Sequence, residues 1–156
     1  MNKLAIKHKA SEEYDVSLVM PDQLMTIWKD IEKYLNKSSK RSKGRTTTQD
    51  IFYECLNSQS SLWIIFDTGN MNITGCLVTQ INEYPTGKKM LNLDHIAGNK
   101  MGNWSDRVLE VMEKWAKDNE CNGLEGVGRQ GFWNWIKDKN WKKTAMFVEY
   151  NFEDMQ

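Results

Sequence analysis

Three side chains in the second half of this 156-residue sequence are of kinds that move protons: Asp94 and His95, adjacent near the end of an apolar run, and Glu125. A carboxylate or an imidazole at a strand end can take the proton of an incoming nucleophile. Between them lies Ala97-Gly98-Asn99-Lys100-Met101-Gly102-Asn103, a loop with two glycines that leads into an amphipathic stretch. Amides at such a loop-to-helix junction are unpaired donors at the positive end of a helix dipole, so they could receive a phosphate. Each residue also has a plainer reading. The alternation Leu91, Leu93, His95 places His95 on an apolar face, as a hydrogen-bonded core histidine. Asp94 then faces the other way with Asn92, where a surface or capping role competes with catalysis. Glu125 suits an ion pair with a lysine.

Other chemistries are excluded by what is missing. No Ser/His/Asp triad, P-loop or G-x-G-x-x-G is legible, and two histidines, His8 and His95, without a ligand cluster argue against a metal site. Cys55, Cys76 and Cys121 are odd in number and far apart, which fits free thiols in a reducing cytoplasm rather than a disulfide framework. The 21 Lys and Arg balance 21 Asp and Glu, so no global field calls for nucleic acid or membrane. Residues 37–45 carry five positive charges but no aromatic side chain for base stacking; they read as a solvated connector, and nucleic-acid binding is not expected. No apolar run approaches the roughly 20 residues of a membrane helix. Met1–Lys9 lacks the apolar segment of a secretory signal.

The chemistry needs a frame, and the sequence supplies one. Residues 14–20 read as a short strand. Pro21-Asp22 opens a helix in which Leu24, Ile27, Trp28, Ile31 and Leu35 form one apolar stripe that stops at Asn36. Thr48 can cap a second helix bearing Ile51, Phe52, Cys55 and Leu56. Leu62–Phe66 is apolar on both faces, as in a central strand. Residues 72–83 and 90–96 add two more strands after turns at Asp67–Asn70 and Pro85–Gly87, giving an antiparallel meander. A helix over 105–118, capped by Ser105 or Asn103, leads to a strand at 124–128 that should lie parallel to the strand at 90–96. A Trp-rich helix at 131–139 and a closing strand from Thr144 to Phe152 complete the order β-α-α-β-β-β-α-β-α-β. This is a single α/β domain, residues 1–156 with its core at about 14–152, holding a mixed sheet of six or seven strands with helices on both faces. Two parallel strands that both run toward a helix N-terminus can splay and leave a crevice at their carboxyl ends, beside the 97–104 loop. On the 131–139 helix, Trp133 and Trp135 cannot share one face, so one ring should be exposed or meet a partner, either another protein or a second copy.

This order of elements, with Leu62–Asp67, Ile73–Thr79, Tyr84-Pro85, Trp115-Ala116, Cys121-Asn122-Gly123 and Gly128–Trp133 followed by Lys139–Lys142, resembles the GNAT superfamily of N-acetyltransferases. More narrowly, it is similar to the small GNAT-like proteins encoded by tailed phages. In active members acetyl-CoA lies between the splayed strands, and amides of a Q/R-x-x-G-x-G/A loop hold its pyrophosphate. The resemblance therefore implies acetyl-CoA as cofactor, with Ile96, Gly98, Asn99, Gly102, Asn103 and Trp104 around it. It also implies Asp94 or Glu125 as base, and a primary amine on a small molecule or protein as acceptor. Asn99 stands where the family has Gln or Arg. Trp104 replaces a small residue, so its ring should crowd the phosphates unless it turns away. Ile136 occupies the position of a tyrosine that protonates the leaving thiolate. These departures raise an alternative expectation, a catalytically inactive GNAT-fold protein serving a phage virion or meeting a host component through Trp133 or Trp135 and the basic loop.

Overall fold

A computed structural model describes residues 13–153; Met1–Lys9 and His8 lie outside the described residues. The elements are β1 (Tyr14–Val19), a 3-10 turn (Pro21–Gln23), α1 (Leu24–Arg41), α2 (Thr48–Leu56), β2 (Ser61–Asp67), β3 (Ile73–Glu83), β4 (Lys89–Gly98), α3 (Met101–Asp118), β5 (Gly123–Glu125) and α4 (Gln130–Ile136). The strands form one mixed sheet in the order β1-β2-β3-β4-β5. Neighbours are antiparallel except β4 and β5, which run parallel because α3 crosses between them.

Each face of the sheet carries its own core. On one side α1 and α2 bury Leu24, Ile31, Leu35, Ile51 and Cys55 against Val19, Leu62, Cys76 and Val78. On the other, α3 buries Trp104, Val108 and Met112 against Trp63, Ile65, Leu77, Leu91 and Leu93. Each such side chain contributes about 1.5–3 kcal/mol by leaving water. Inside the second core the Trp63 indole N–H donates to Thr79 Oγ1 at 3.0 Å, so the ring is buried without an unpaired donor.

Several boundaries differ from the sequence expectation. Helix α1 runs on to Arg41 instead of stopping at Asn36, because Ser38 reaches a partner on β4 and Ser39 Oγ meets Thr48 Oγ1 at 2.9 Å. Thr47 and not Thr48 caps α2: its hydroxyl accepts from the Asp50 amide while Asp50 accepts from the Thr47 amide, a reciprocal capping box. Helix α3 begins at Met101, so Asn103 and Ser105 lie inside it, and Lys100, at φ 59°, precedes its first turn.

The sheet has five strands, not six or seven. Residues 144–152 take no strand conformation, and Met146, Phe147, Val148, Tyr150 and Phe152 are exposed. Strand β5 is only three residues long and offers a further strand little edge to pair with. The tail turns instead to the α1–α2 connection, where Arg45 Nη2 donates to Glu149 Oε2 at 2.6 Å and the guanidinium lies 4.7 Å from the Phe147 ring.

A candidate acyl-transfer crevice

The crevice begins where β4 loses one of its neighbours. Pairing between β4 and β5 covers only Met90–Asn92 against Gly123–Glu125. Beyond Asn92, β4 continues to Gly98 with β3 alone. Gly126 still lies close, since a Cβ there would come within 3.3 Å of the Leu93 carbonyl, but the next residue, Val127, is exposed. From that point β4 runs on without β5, which ends at Glu125.

Strand β4 also changes face in this region. Val78 pairs with His95 and Thr79 with Leu93, which leaves Asp94 as the extra residue of a β-bulge. Leu91 and Leu93 point to the α3 core, whereas His95, opposite Val78, points to the α1–α2 core. The expectation that His95 shares a face with Leu91 and Leu93 is therefore corrected: the bulge breaks the alternation. His95 is half-buried, with Nδ1 2.7 Å from Ser38 Oγ. Burial pulls its pKa below the ordinary histidine value, against the opposing pull of the Asp94 and Glu54 carboxylates.

Alternation along β4 and its register with β5 bring the two carboxylates onto one surface. The Asp94 charge acts on both His95 and Cys55, which lie on the α1–α2 side, and Asn92 Nδ2 makes a long 3.4 Å contact to Asp94 Oδ1. Glu125 pairs in register with Asn92 and so shares that face. Its partners are not lysines: Asn82 Nδ2 donates to Oε2 at 2.9 Å, and the Tyr84 hydroxyl donates to the same oxygen at 2.5 Å. The bond to Glu125 holds the Tyr84 phenol above its ordinary pKa. Both bonds fall on Oε2, which leaves Oε1 for an incoming group. Asn82 and Ser38 carry no motif in the sequence; only the strand register and the length of α1 reveal them.

At the far end of β4, the residues implied for the phosphates divide sharply. The Asn99 amide donates to the Thr74 carbonyl at 2.8 Å, and the Asn103 amide to the Lys100 carbonyl at 2.8 Å. Gly98 is packed: a Cβ there would lie 2.5 Å from the Thr74 carbonyl and 2.6 Å from Gly75 Cα. Ile96 is half-buried toward the α3 core. Trp104 does not crowd the phosphate position. Its ring is fully buried, resting on Gly75 and Gly98, and its indole N–H donates to the Asn99 carbonyl at 2.7 Å. The glycine pair on β3 and β4 makes the space that a small residue at position 104 would not need. Gly102 remains open, with nothing within 4 Å of a Cβ position, and among the described residues the Met101 and Gly102 amides have no hydrogen-bond partner. These two first-turn amides are what the chain offers an anion here. A pyrophosphate fits them in type, and the inward Trp104 leaves the approach clear.

The Trp pair expected to meet a partner is partly spent within the fold. Trp133 lies under Lys143 Nζ, 5.0 Å from the ring centroid, and Trp135 packs edge-on to Phe132 at 5.5 Å. Both are half-buried, and Ile136 is buried. A cavity of about 230 Å³ near Ser58, Thr79 and Trp115 and one of about 440 Å³ between Glu113, Leu124 and Trp141 are lined by other residues. Among the described residues, no cluster of His, Cys, Asp and Glu is placed to hold a metal ion, and no helix is long and apolar enough to cross a membrane.

No protein-family model and no curated protein matches the sequence. Solved structures match the fold. An aminoglycoside acetyltransferase from an uncultured soil metagenomic sample superposes with a TM-score of 0.66 at 6% identity, covering 90% of this chain and 97% of that one. A predicted acetyltransferase from Clostridium acetobutylicum, crystallised with acetyl-CoA, gives 0.63 at 14% identity over 89% and 96%. The ribosomal-protein-alanine N-acetyltransferase of Brucella melitensis biovar Abortus 2308 gives 0.59 at 14% over 90% and 99%. The chain has the GNAT fold. At these identities the likeness is one of backbone.

Proposed function

We propose that this protein transfers an acetyl group from acetyl-CoA to a primary amine. The observation that supports this best is that Asp94 and Glu125 share one face of the sheet where β4 runs on past the end of β5, with the open Met101 and Gly102 amides beyond the far end of β4. When bound, acetyl-CoA supplies the acetyl group as a thioester, whose C–S bond breaks as the C–N bond to the amine forms. The chain's part is to hold and deprotonate the amine. Glu125, clamped through Oε2 by Asn82 and Tyr84, can orient an ammonium through Oε1. Asp94, held only by the long contact from Asn92, is placed to take the proton. Ile136 can donate none to the leaving sulfur, so that proton comes from water.

Thermal unfolding with acetyl-CoA and with free CoA tests the reading. Ligand at about a hundred times its Kd stabilises by about 2.7 kcal/mol, a rise of several degrees in Tm. No shift with millimolar ligand would defeat it and leave a GNAT fold kept for its surface, a binding protein whose exposed apolar tail at 146–152 would be the first place to seek a contact.

A further inference from the structure

Residues 146–152 alternate in kind and in what they touch. Met146, Val148, Tyr150 and Phe152 are large and apolar, and they are 85%, 77%, 87% and 92% exposed. Phe147 and Glu149, between them, turn toward the chain's own body: Arg45 Nη2 donates to Glu149 Oε2 at 2.6 Å, and the guanidinium stands 4.7 Å from the Phe147 ring. Along an extended backbone, residues two apart share a side. The Tyr150 and Phe152 rings follow that rule, meeting edge to face with centroids 5.5 Å apart. The tail thus rests on Arg45 by one side and carries an unbroken apolar stripe on the other.

The stripe is large for a surface left in water. Two aromatic side chains at about 150–250 Å² each, with a methionine, a valine and the open edge of Phe147, make a patch on the order of 600–800 Å². Monomeric proteins rarely expose more than about 300–600 Å² of contiguous apolar surface, and one partner of a standard stable interface buries about 800 Å². Composition selects what covers it. The stripe positions carry no charge, and Glu149 on the other side is paired with Arg45, so two stripes can close on each other without burying a charge. A uniformly apolar stripe is complementary to itself, which a two-fold contact requires. The ends fix the direction. Lys142 and Lys143 precede the stripe and Glu153 follows it. Antiparallel packing brings the basic start of each stripe toward the acidic end of the other, whereas parallel packing would set like charges together.

We propose that the tail is a self-association surface: two copies of this chain meet across a two-fold axis, the Met146, Val148, Tyr150 and Phe152 stripe of one packed face to face and antiparallel on that of the other. The contact is independent of the acyl-transfer reading, since it uses no residue of the crevice.

Sedimentation of the full-length protein over about 1–100 μM should show a mass rising to twice the 18.3 kDa of one chain, with a midpoint in the micromolar range. An apolar contact should hold or tighten as sodium sulfate is added. V148D, which places a charge at the centre of the stripe, should weaken association by at least about a hundredfold with far-UV circular dichroism unchanged, because the tail lies outside both cores. N151S, on the opposite side of the tail, should leave it unaltered. K142E should weaken it several-fold, and E153K in the same chain should restore it. A protein that stays monomeric at the highest concentration would overturn the proposal. So would a dimer that V148D leaves intact or that dissolves in sulfate, since either would place the contact elsewhere. Equal losses in V148D and N151S would overturn the assignment of faces, and failure of E153K to rescue K142E would overturn the antiparallel arrangement.

Discussion

On the α3 face of β4, Leu91, Leu93 and Ile96 meet Trp104, Val108 and Met112, and the buried indole donor at position 104 is satisfied by the Asn99 carbonyl. On the α1–α2 face of the same strand stand Asn92, Asp94 and His95, with Glu125 and Asn82 beside them. The first face spends its side chains on packing. The second keeps carboxylates and amides in a half-buried setting where apolar residues would have made a better core. That contrast, more than any motif, locates the chemistry: polar groups that the fold does not require are gathered on one side of one strand. The departure at Trp104 belongs to the first face, where Gly75 and Gly98 accommodate the ring.

Substitutions at Trp104 should show the largest effect. Trp104→Ala empties the centre of the α3 core and frees the Asn99 carbonyl, so a loss of about 3–5 kcal/mol is expected, or a fall of roughly 10–15 °C in Tm. Thermal unfolding checks it. A change of only a degree or two would mean that the ring is not buried as described and would reopen the possibility that it covers the phosphate position.

The polar face should respond in the opposite way. Asp94→Asn is expected to lower kcat by about 10²–10⁴-fold with Tm nearly unchanged, as for loss of a general base. Glu125→Gln should act mainly on KM, because its clamped carboxylate orients the amine. Stopped activity with a large loss of stability in either variant would erase the distinction between the two faces. Single-turnover kinetics beside the melting curve separates these outcomes.

A smaller effect follows from His95. Its folded pKa lies below the ordinary 6.5, so below that value the unfolded chain binds more protons than the folded one. Stability from this residue is full above pH 6.5 and declines as pH falls through the folded pKa. His95→Gln, which can still meet Ser38, should flatten that acid limb of the Tm profile while leaving the plateau near neutral pH little changed. An acid limb identical in the variant would mean that His95 is solvated and not held as described.

How much of this was legible in the sequence depended on whether a local rule governed it. The stripe Leu24, Ile27, Trp28, Ile31, Leu35 gave α1, and the two-sided apolar run Leu62–Phe66 gave the central β2, because burial periodicity is written directly in residue type. The meander and the parallel β5 followed from turn residues and crossover rules. The bulge was invisible, since a residue inserted into one strand shows only against its partner's register, and it reversed the side assigned to His95. The rotation of Trp104 depended on two glycines elsewhere in the sheet, Gly75 and Gly98, that no spacing links to it. Residues 144–152 had strand composition but found only a three-residue edge at β5.

The finest test of the α1–α2 face uses the three thiols. Burial pushes Cys55 and Cys76 up to about 12, with Glu54 and Asp94 adding to the rise at Cys55. At pH 8 the native protein should therefore label quickly at one site, half-buried Cys121, and at all three sites once unfolded. The two slow thiols differ in what must open to expose them. Both lie in the α1–α2 core, but Cys76 sits on β3 beneath the helix layer, whereas Cys55 is carried by α2 itself and is exposed when α2 alone lifts. Cys55 should then label faster than Cys76 in the native state, and an acceptor bound in the groove should slow Cys55 alone. Equal rates at the two would mean that α2 has no independent motion through which an amine could enter.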